Sequence, residues 1–388
     1  MMRPVAWLAA LVAIAAAHPV QPATPPALPP YTQAYEPAGV DERGLWMQVD
    51  ELERNLRQSP FIIADPHLNA YVRGVLCRTV GDDRCRSVRL YVVRNDGFNA
   101  TMAPNGMMMV WSGLLLRVRD EAELGSVLGH EFAHFELRHM LDRFKQQRGV
   151  TDILSWAAVL SPTVYTSISA TAIGSIFAFS RAQEQEADLL GLRYLAESTY
   201  PSTAAAQVWE RLMAEADATA AGRKRKPSVH RYTAGLFASH PTELSRATYL
   251  RAAAAKVGDA GDPAAAAYRA GLAKWLPHFL ADQIKLNDFG GTDYLLGQLA
   301  ADGWTADLLY ARAELYRQRG HPRDLVSAAQ FYQSAIDGGF AGAEAYRGLG
   351  LSLLRSQQVD AGRTALRTYL ERAPDASDTA MMQALVAQ

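Results

Sequence analysis

Asp120-Glu121-Ala122-Glu123-Leu124-Gly125-Ser126-Val127-Leu128-Gly129-His130-Glu131-Phe132-Ala133-His134-Phe135 is the stretch from which the rest of this chain is read. Asp120 with Glu123 three residues on is a helix-start pattern, in which side-chain oxygens take up backbone N–H groups of the first turn. Leu124, Val127, Leu128, Phe132 and Phe135 then recur at helical spacing, so the segment is a helix with one stripe turned to a core. His130 and His134 leave one face of that helix a turn apart, and two imidazoles so placed can reach one metal ion. Glu131 leaves the neighbouring flank, where it does not share the inner shell but can take a proton from a water at the metal.

A catalytic zinc site needs a third protein ligand and one open position. Six residues beyond His134 stands Met140, so no third histidine follows in the same segment and a carboxylate from another helix is expected. Ser180-Arg181-Ala182-Gln183-Glu184-Gln185-Glu186-Ala187-Asp188 supplies it. At helical spacing Glu184 and Asp188 share a face and Glu186 points roughly the other way. Glu184 is assigned to the metal, and Asp188 to the second N–H of a ligating histidine, whose ring it orients. Without the histidine pair, such a run would read as a solvated acidic face. Two imidazoles and one carboxylate suit zinc, one ion per chain, better than other metals. His139 lies half a turn from His130 and reads as a surface or packing residue. His230, near the basic Arg223-Lys224-Arg225-Lys226, reads as solvated.

The 388 residues are 49% hydrophobic, enough for two domains with their own cores. With 39 basic and 40 acidic side chains the net charge is −1, which gives no overall field for nucleic acid or an anionic membrane. The basic Met1-Met2-Arg3 and the apolar stretch Val5 to Ala17, too short to span a bilayer, read as a signal peptide over 1–17. Seven prolines between Pro19 and Pro37 make 18–42 an extended arm. The two cysteines, Cys77 and Cys85, are close enough for a local disulfide in an exported protein, two free thiols being the alternative.

Along the chain the fold class is mainly α with a small β-sheet: helix over Gly44 to Leu76, a strand at Val88 to Val93, an apolar run at Met107 to Trp111, then helices. Residues 153–179 carry no charge, but Pro162, Gly174 and many Ser, Thr and Ala make a poor membrane span. They read as a helical hairpin over the active site or dipping into a membrane surface, a peripheral contact. The Gly/Asp/Pro cluster Gly258 to Pro263 reads as a domain boundary, closing a first domain at 43–257. In 264–388, Leu349, Gly350, Leu353, Gly362, Leu366, Tyr369 and Pro374 fall at tetratricopeptide spacing. The earlier unit around Ala313, Tyr316, Ala328, Tyr332 and Ala335 has a Gly320-His321-Pro322 insertion of the Sel1-like kind. An ordinary helical domain is the alternative.

His130 to His134, Glu184 to Asp188, and His240-Pro241 with Arg246 six residues after the histidine resemble, in that order, metallopeptidase family forty-eight, whose members are gluzincin-type zinc peptidases. Phe98 to Gly106 is similar to the family's Asn-Ala-Phe-x-x-Pro-Gly-Gly segment, with departures at Thr101 and Asn105. The likeness covers about Leu45 to Ala254, and with a signal peptide and repeats it points to periplasmic members of the family. It implies that Met107 to Trp111 is an edge strand on which extended substrate adds, with Asn99, Met108 and Val110 along it, although Val110 by itself reads as core. It also implies His240 as a fourth ligand able to close the metal site, or else a helix cap or a contact to the substrate carbonyl. Glu131 would then be the catalytic base, with His240 or Arg246 facing the developing oxyanion. The function implied is a zinc endopeptidase cleaving unfolded or misassembled envelope proteins in quality control, its repeats recruiting substrate or outer-membrane assembly partners. The competing function is a chaperone or scaffold for outer-membrane protein assembly with little proteolysis.

Overall fold

The computed structural model describes residues 28, 31, 33–146, 179–226 and 243–387. The signal peptide at 1–17, the uncharged stretch over 153–178, and His230 and His240 lie outside them. Three helices open the described chain, α1 (Gly39–Arg57), α2 (Pro66–Val80) and α3 (Asp82–Cys85). Strands β1 (Arg89–Val93), β2 (Ala100–Met102) and β3 (Met107–Trp111) follow, then α4 (Ser112–Arg117), α5 (Glu121–Glu136) and α6 (His139–Gln146). Next come α7 (Arg181–Glu197), α8 (Ala204–Gly222), α9 (Glu243–Val257), α10 (Ala265–Leu272), α11 (Leu276–Lys285) and α12 (Phe289–Leu299). The C-terminal helices are α13 (Ala306–Arg319), α14 (Pro322–Asp337), α15 (Glu344–Arg355), α16 (Val359–Arg372) and α17 (Thr379–Ala387).

Helix α1 begins at Gly39, so the end of the arm expected over 18–42 is already helical. The helix expected over Gly44 to Leu76 is two helices. Pro60 lacks the N–H that would continue the first, and Asp65 starts the second by accepting from the backbone N–H groups of His67 and Leu68 ahead of Pro66. The end of α2 is tied to α3 by a Cys77–Cys85 disulfide.

The sheet has the order β1-β3-β2, with β1 parallel and β2 antiparallel to β3. Met107 to Trp111 is therefore the central strand and not the edge strand, which corrects the placement of Met108 and Val110. Both are fully buried, because an unbroken apolar run has core on each of its faces. Among the described residues β2 pairs with β3 alone, and all three of its residues are buried. Trp111 N–H donates to Asn99 O at 3.0 Å and Ala103 N–H to Met107 O at 2.8 Å, so the alternating ladder leaves Ala100 and Met102 with backbone groups turned outward. Asn99 itself is spent on the inner ladder.

One apolar cluster runs from Ile63 to Leu315 and does not stop at 258–263. Tyr268, Leu272, Phe279, Leu280 and Leu296 belong to it, the Tyr268 hydroxyl donates to Leu115 O at 2.6 Å, and the Trp275 indole donates to Asp65 at 2.9 Å. Helices α10 to α12 thus complete the core that carries the sheet and α5; a second cluster joins α1 to Met107, Met109 and Leu141, and C-terminal to the main core further clusters form around Ala313 and Leu366. There α15 and α16 cross closely, since a Cβ on Gly350 would lie 2.9 Å from Gly362 O. Among the described residues no helix is long and apolar enough to cross a membrane.

Candidate metal centre

Helix α5 starts where Asp120 accepts from Glu123 N–H at 2.7 Å, and α7 where Ser180 and Gln183 cap one another. The two helices approach through glycines: a Cβ on Gly191 would lie 3.1 Å from His130 N and 3.2 Å from its Cα. That approach carries the first turn of α7 onto the histidine face of α5. His130 Nε2 and His134 Nε2 are 3.2 Å apart, Glu184 Oε2 is 3.7 Å from the first and Glu184 Oε1 3.5 Å from the second. All three residues are buried. Donors about 2.0–2.2 Å from a tetrahedral zinc ion lie roughly 3.3–3.6 Å from one another, so this triad fits the metal without rearrangement.

Each imidazole has an outer partner. His130 Nδ1 is 2.9 Å from Asp188 Oδ1, and Asp188 also accepts from Arg246 Nε at 2.8 Å and from the Tyr249 hydroxyl. Burial pushes the Asp188 carboxyl up, but Arg246 and His130 outweigh it and hold the group well below the usual carboxylate range. Arg246 is 1% exposed, its guanidinium 3.7 Å over the Trp209 ring. Besides its pairing with Asp188, its Nη2 lies 3.2 and 3.3 Å from the His130 ring nitrogens and its Nη1 3.8 Å from Glu184 Oε2, so it braces the ligands from within the site.

His134 is held by residues that the sequence reading set aside. His139 Nδ1 is 2.9 Å from His134 Nδ1, His139 Nε2 is 3.3 Å from Glu186 Oε2, and Phe179 stacks on the His134 ring at 4.0 Å. His139 is 3% exposed, not a surface group. The spacing misplaced it because α5 ends at Glu136 and Arg138 takes φ 60°, which turns the chain back on itself. A helical wheel continued through that reversal puts His139 on the wrong side. The non-helical φ at a non-glycine residue leaves no mark in a single sequence.

Glu131 stands half-buried beside the triad. Burial first, then the Glu184 and Asp188 carboxylates, push its pKa well above the ordinary range, while Arg246 and a backbone hydrogen bond from Met102 in β2 pull it down. A dication among the ligands would add to the downward pull.

This is the arrangement of a metallopeptidase, and residues 85–254 match the family described as Peptidase family M48. The segment is thus similar to the metalloprotease domains of that family. Among similar proteins are the beta-barrel assembly-enhancing protease of Yersinia pestis, 32% identical over 163 residues (38% of this chain, 33% of the relative), and the mitochondrial metalloendopeptidase OMA1 of Schizosaccharomyces pombe, 33% identical over 145 residues (37% and 43%). The beta-barrel assembly-enhancing protease of Escherichia coli is 27% identical over 183 residues (43% and 37%). The matched part spans well under half the length of each relative.

Proposed function

We propose that this protein is a zinc-dependent endopeptidase of the periplasm that cleaves unfolded or misassembled envelope polypeptides, its C-terminal helix pairs acting as tetratricopeptide-like repeats that recruit substrate or outer-membrane assembly partners. The observation that carries the reading is the convergence of His130, His134 and Glu184 at 3.2–3.7 Å, with Glu131 alongside. The Cys77–Cys85 bridge favours an oxidising compartment, and the assembly-enhancing relatives favour envelope substrates.

In this reading zinc, when bound, acidifies a water and polarises the scissile carbonyl. The rest falls to the chain. The outer backbone groups of Ala100 and the Met102 carbonyl can pair with an extended substrate strand, while the Met102 N–H holds Glu131. Glu131 takes a proton on its carboxylate from the attacking water and returns it to the departing amine. Asp188 holds His130 in the tautomer that presents Nε2 to the metal, and His139 does the same for His134.

Casein cleavage and zinc content of the purified chain test the proposal. Glu131→Gln should lose cleavage and keep zinc, whereas Glu184→Ala should lose zinc. A zinc-loaded wild type that cleaves no unfolded protein would refute peptidase function in favour of the scaffold reading.

A further inference from the structure

The residues just ahead of α1 come within one layer of the metal ligands. Tyr35, Trp46, Met102, His134 and Arg138 line a single void of about 20 Å³, room for about one water and for no side chain. The segment that reads in sequence as an extended arm is thus packed against the wall of the site.

What this packing holds is the chain reversal at Arg138. A non-glycine residue at φ 60° is strained unless its surroundings fix it, and the next residue is His139, whose Nδ1 meets His134 Nδ1 at 2.9 Å. Tyr35 places its ring 4.3 Å from the Arg138 guanidinium, and Trp46 of α1 meets the same ring edge-on at 6.0 Å. The Tyr35 hydroxyl donates to Glu42 Oε2 at 2.6 Å, an oxygen that also accepts from Ala38 N–H at 2.6 Å. The other Glu42 oxygen takes Lys145 Nζ at 2.7 Å, from the last turn of α6. Leu141 of α6 is buried in the cluster that α1 makes with Met107 and Met109, and Phe144 packs against it. Both sides of the reversal are therefore tied to α1, Arg138 through Tyr35 and α6 through Lys145, Leu141 and Phe144. His139 lies between the two ties.

We propose that Tyr35 is a positioning residue for the metal centre: with Glu42 it clamps the Arg138 reversal and α6 to α1, and so keeps the His139 ring on His134. Tyr35 is not a ligand and acts only through His139. A ring held in place before the metal arrives has less freedom to lose on binding it, so the clamp raises affinity without adding a bond to the ion. The inference rests on the reading of His130, His134 and Glu184 as metal ligands.

The test is a double-mutant cycle on zinc affinity, read by chelator competition on the full chain, with the urea midpoint of the metal-free chain measured alongside. Tyr35→Ala should weaken zinc about three- to tenfold, less than His139→Ala. Tyr35→Phe keeps the ring on Arg138 and Trp46 and should recover most of that loss. In the His139→Ala background Tyr35→Ala should cost almost nothing further, because the group it positions is gone. A role in general packing would instead cost the same factor in both backgrounds, with the metal-free midpoint falling in step. Wild-type affinity in Tyr35→Ala, an equal cost with and without His139, or no recovery in Tyr35→Phe would overturn the clamp and leave the metal site standing. A wild-type chain that binds no zinc would overturn the site and the clamp together.

Discussion

Gly191→Val probes the contact on which the metal centre depends. In wild type the α5–α7 crossing leaves a Cβ at position 191 only 3.1 Å from His130 N, 3.2 Å from its Cα and 3.3 Å from Gly129 C, all backbone atoms in the middle of a buried helix. None can swing aside as a side-chain tip would. Alanine would force the helices apart by a few tenths of an ångström, and valine, with two more methyl groups, by more. Overpacking of this kind costs about 1–3 kcal/mol. Because Glu184 lies two turns earlier on the same helix, the shift also moves its carboxylate off the histidine pair, and disturbing the supports of a metal ligand lowers affinity about 10–100-fold. Zinc affinity by chelator competition and urea unfolding with and without metal would measure both effects, which should grow from Gly191→Ala to Gly191→Val. Gly297→Ala is the control: it too is a helical glycine, in the last turn of α12, but nothing lies within 4 Å of its Cβ position, so that change should be neutral or slightly stabilising. If Gly191→Val kept wild-type zinc affinity and urea midpoint, the close crossing would not be what sets the site.

His139→Ala should weaken zinc about 10–100-fold in the same competition assay by freeing the His134 ring, and Glu186→Ala less, because Glu186 is 60% exposed; unchanged affinity in His139→Ala would remove the orienting role. A chain ending at Val257, which by the sequence boundary should keep its metal site, is expected to aggregate or unfold without cooperativity because it loses Tyr268, Leu272, Phe279 and Leu296 from the shared core, whereas one ending at Gly320 should still bind zinc. A folded, zinc-binding 1–257 fragment would disprove the shared core. Glu53 gives an acid-side prediction: burial pushes its carboxyl up, but Arg89, Tyr91 and Arg57 outweigh that and hold it at about 2, below the ordinary value of 4.5. A folded-state value below the unfolded one adds stability above about pH 4.5 that is lost as pH falls toward 2. The stability gap between wild type and Glu53→Gln should therefore close over that window, and a gap independent of pH would refute it.

The sequence by itself determined what depends on spacing within one element. Helical period put His130 and His134 on one face, the run from Ser180 to Asp188 carried Glu184 one turn from Asp188, and both helix starts were written in Asp120 and Ser180. These are short-range consequences of 3.6 residues per turn and of unpaired N–H groups at helix ends, so they survive without knowledge of what packs where. Only the tertiary structure decided which strand is central, since Met107 to Trp111 takes its place from pairing with residues up to eighteen earlier in the chain. It likewise decided that Arg246 is walled in by Asp188 and Trp209, that His139 turns back through Arg138, and that α10 to α12 belong to the peptidase core. Each of these follows from contacts between segments far apart in the chain, where burial and close backbone approach are properties of the pair and neither partner's local sequence carries them.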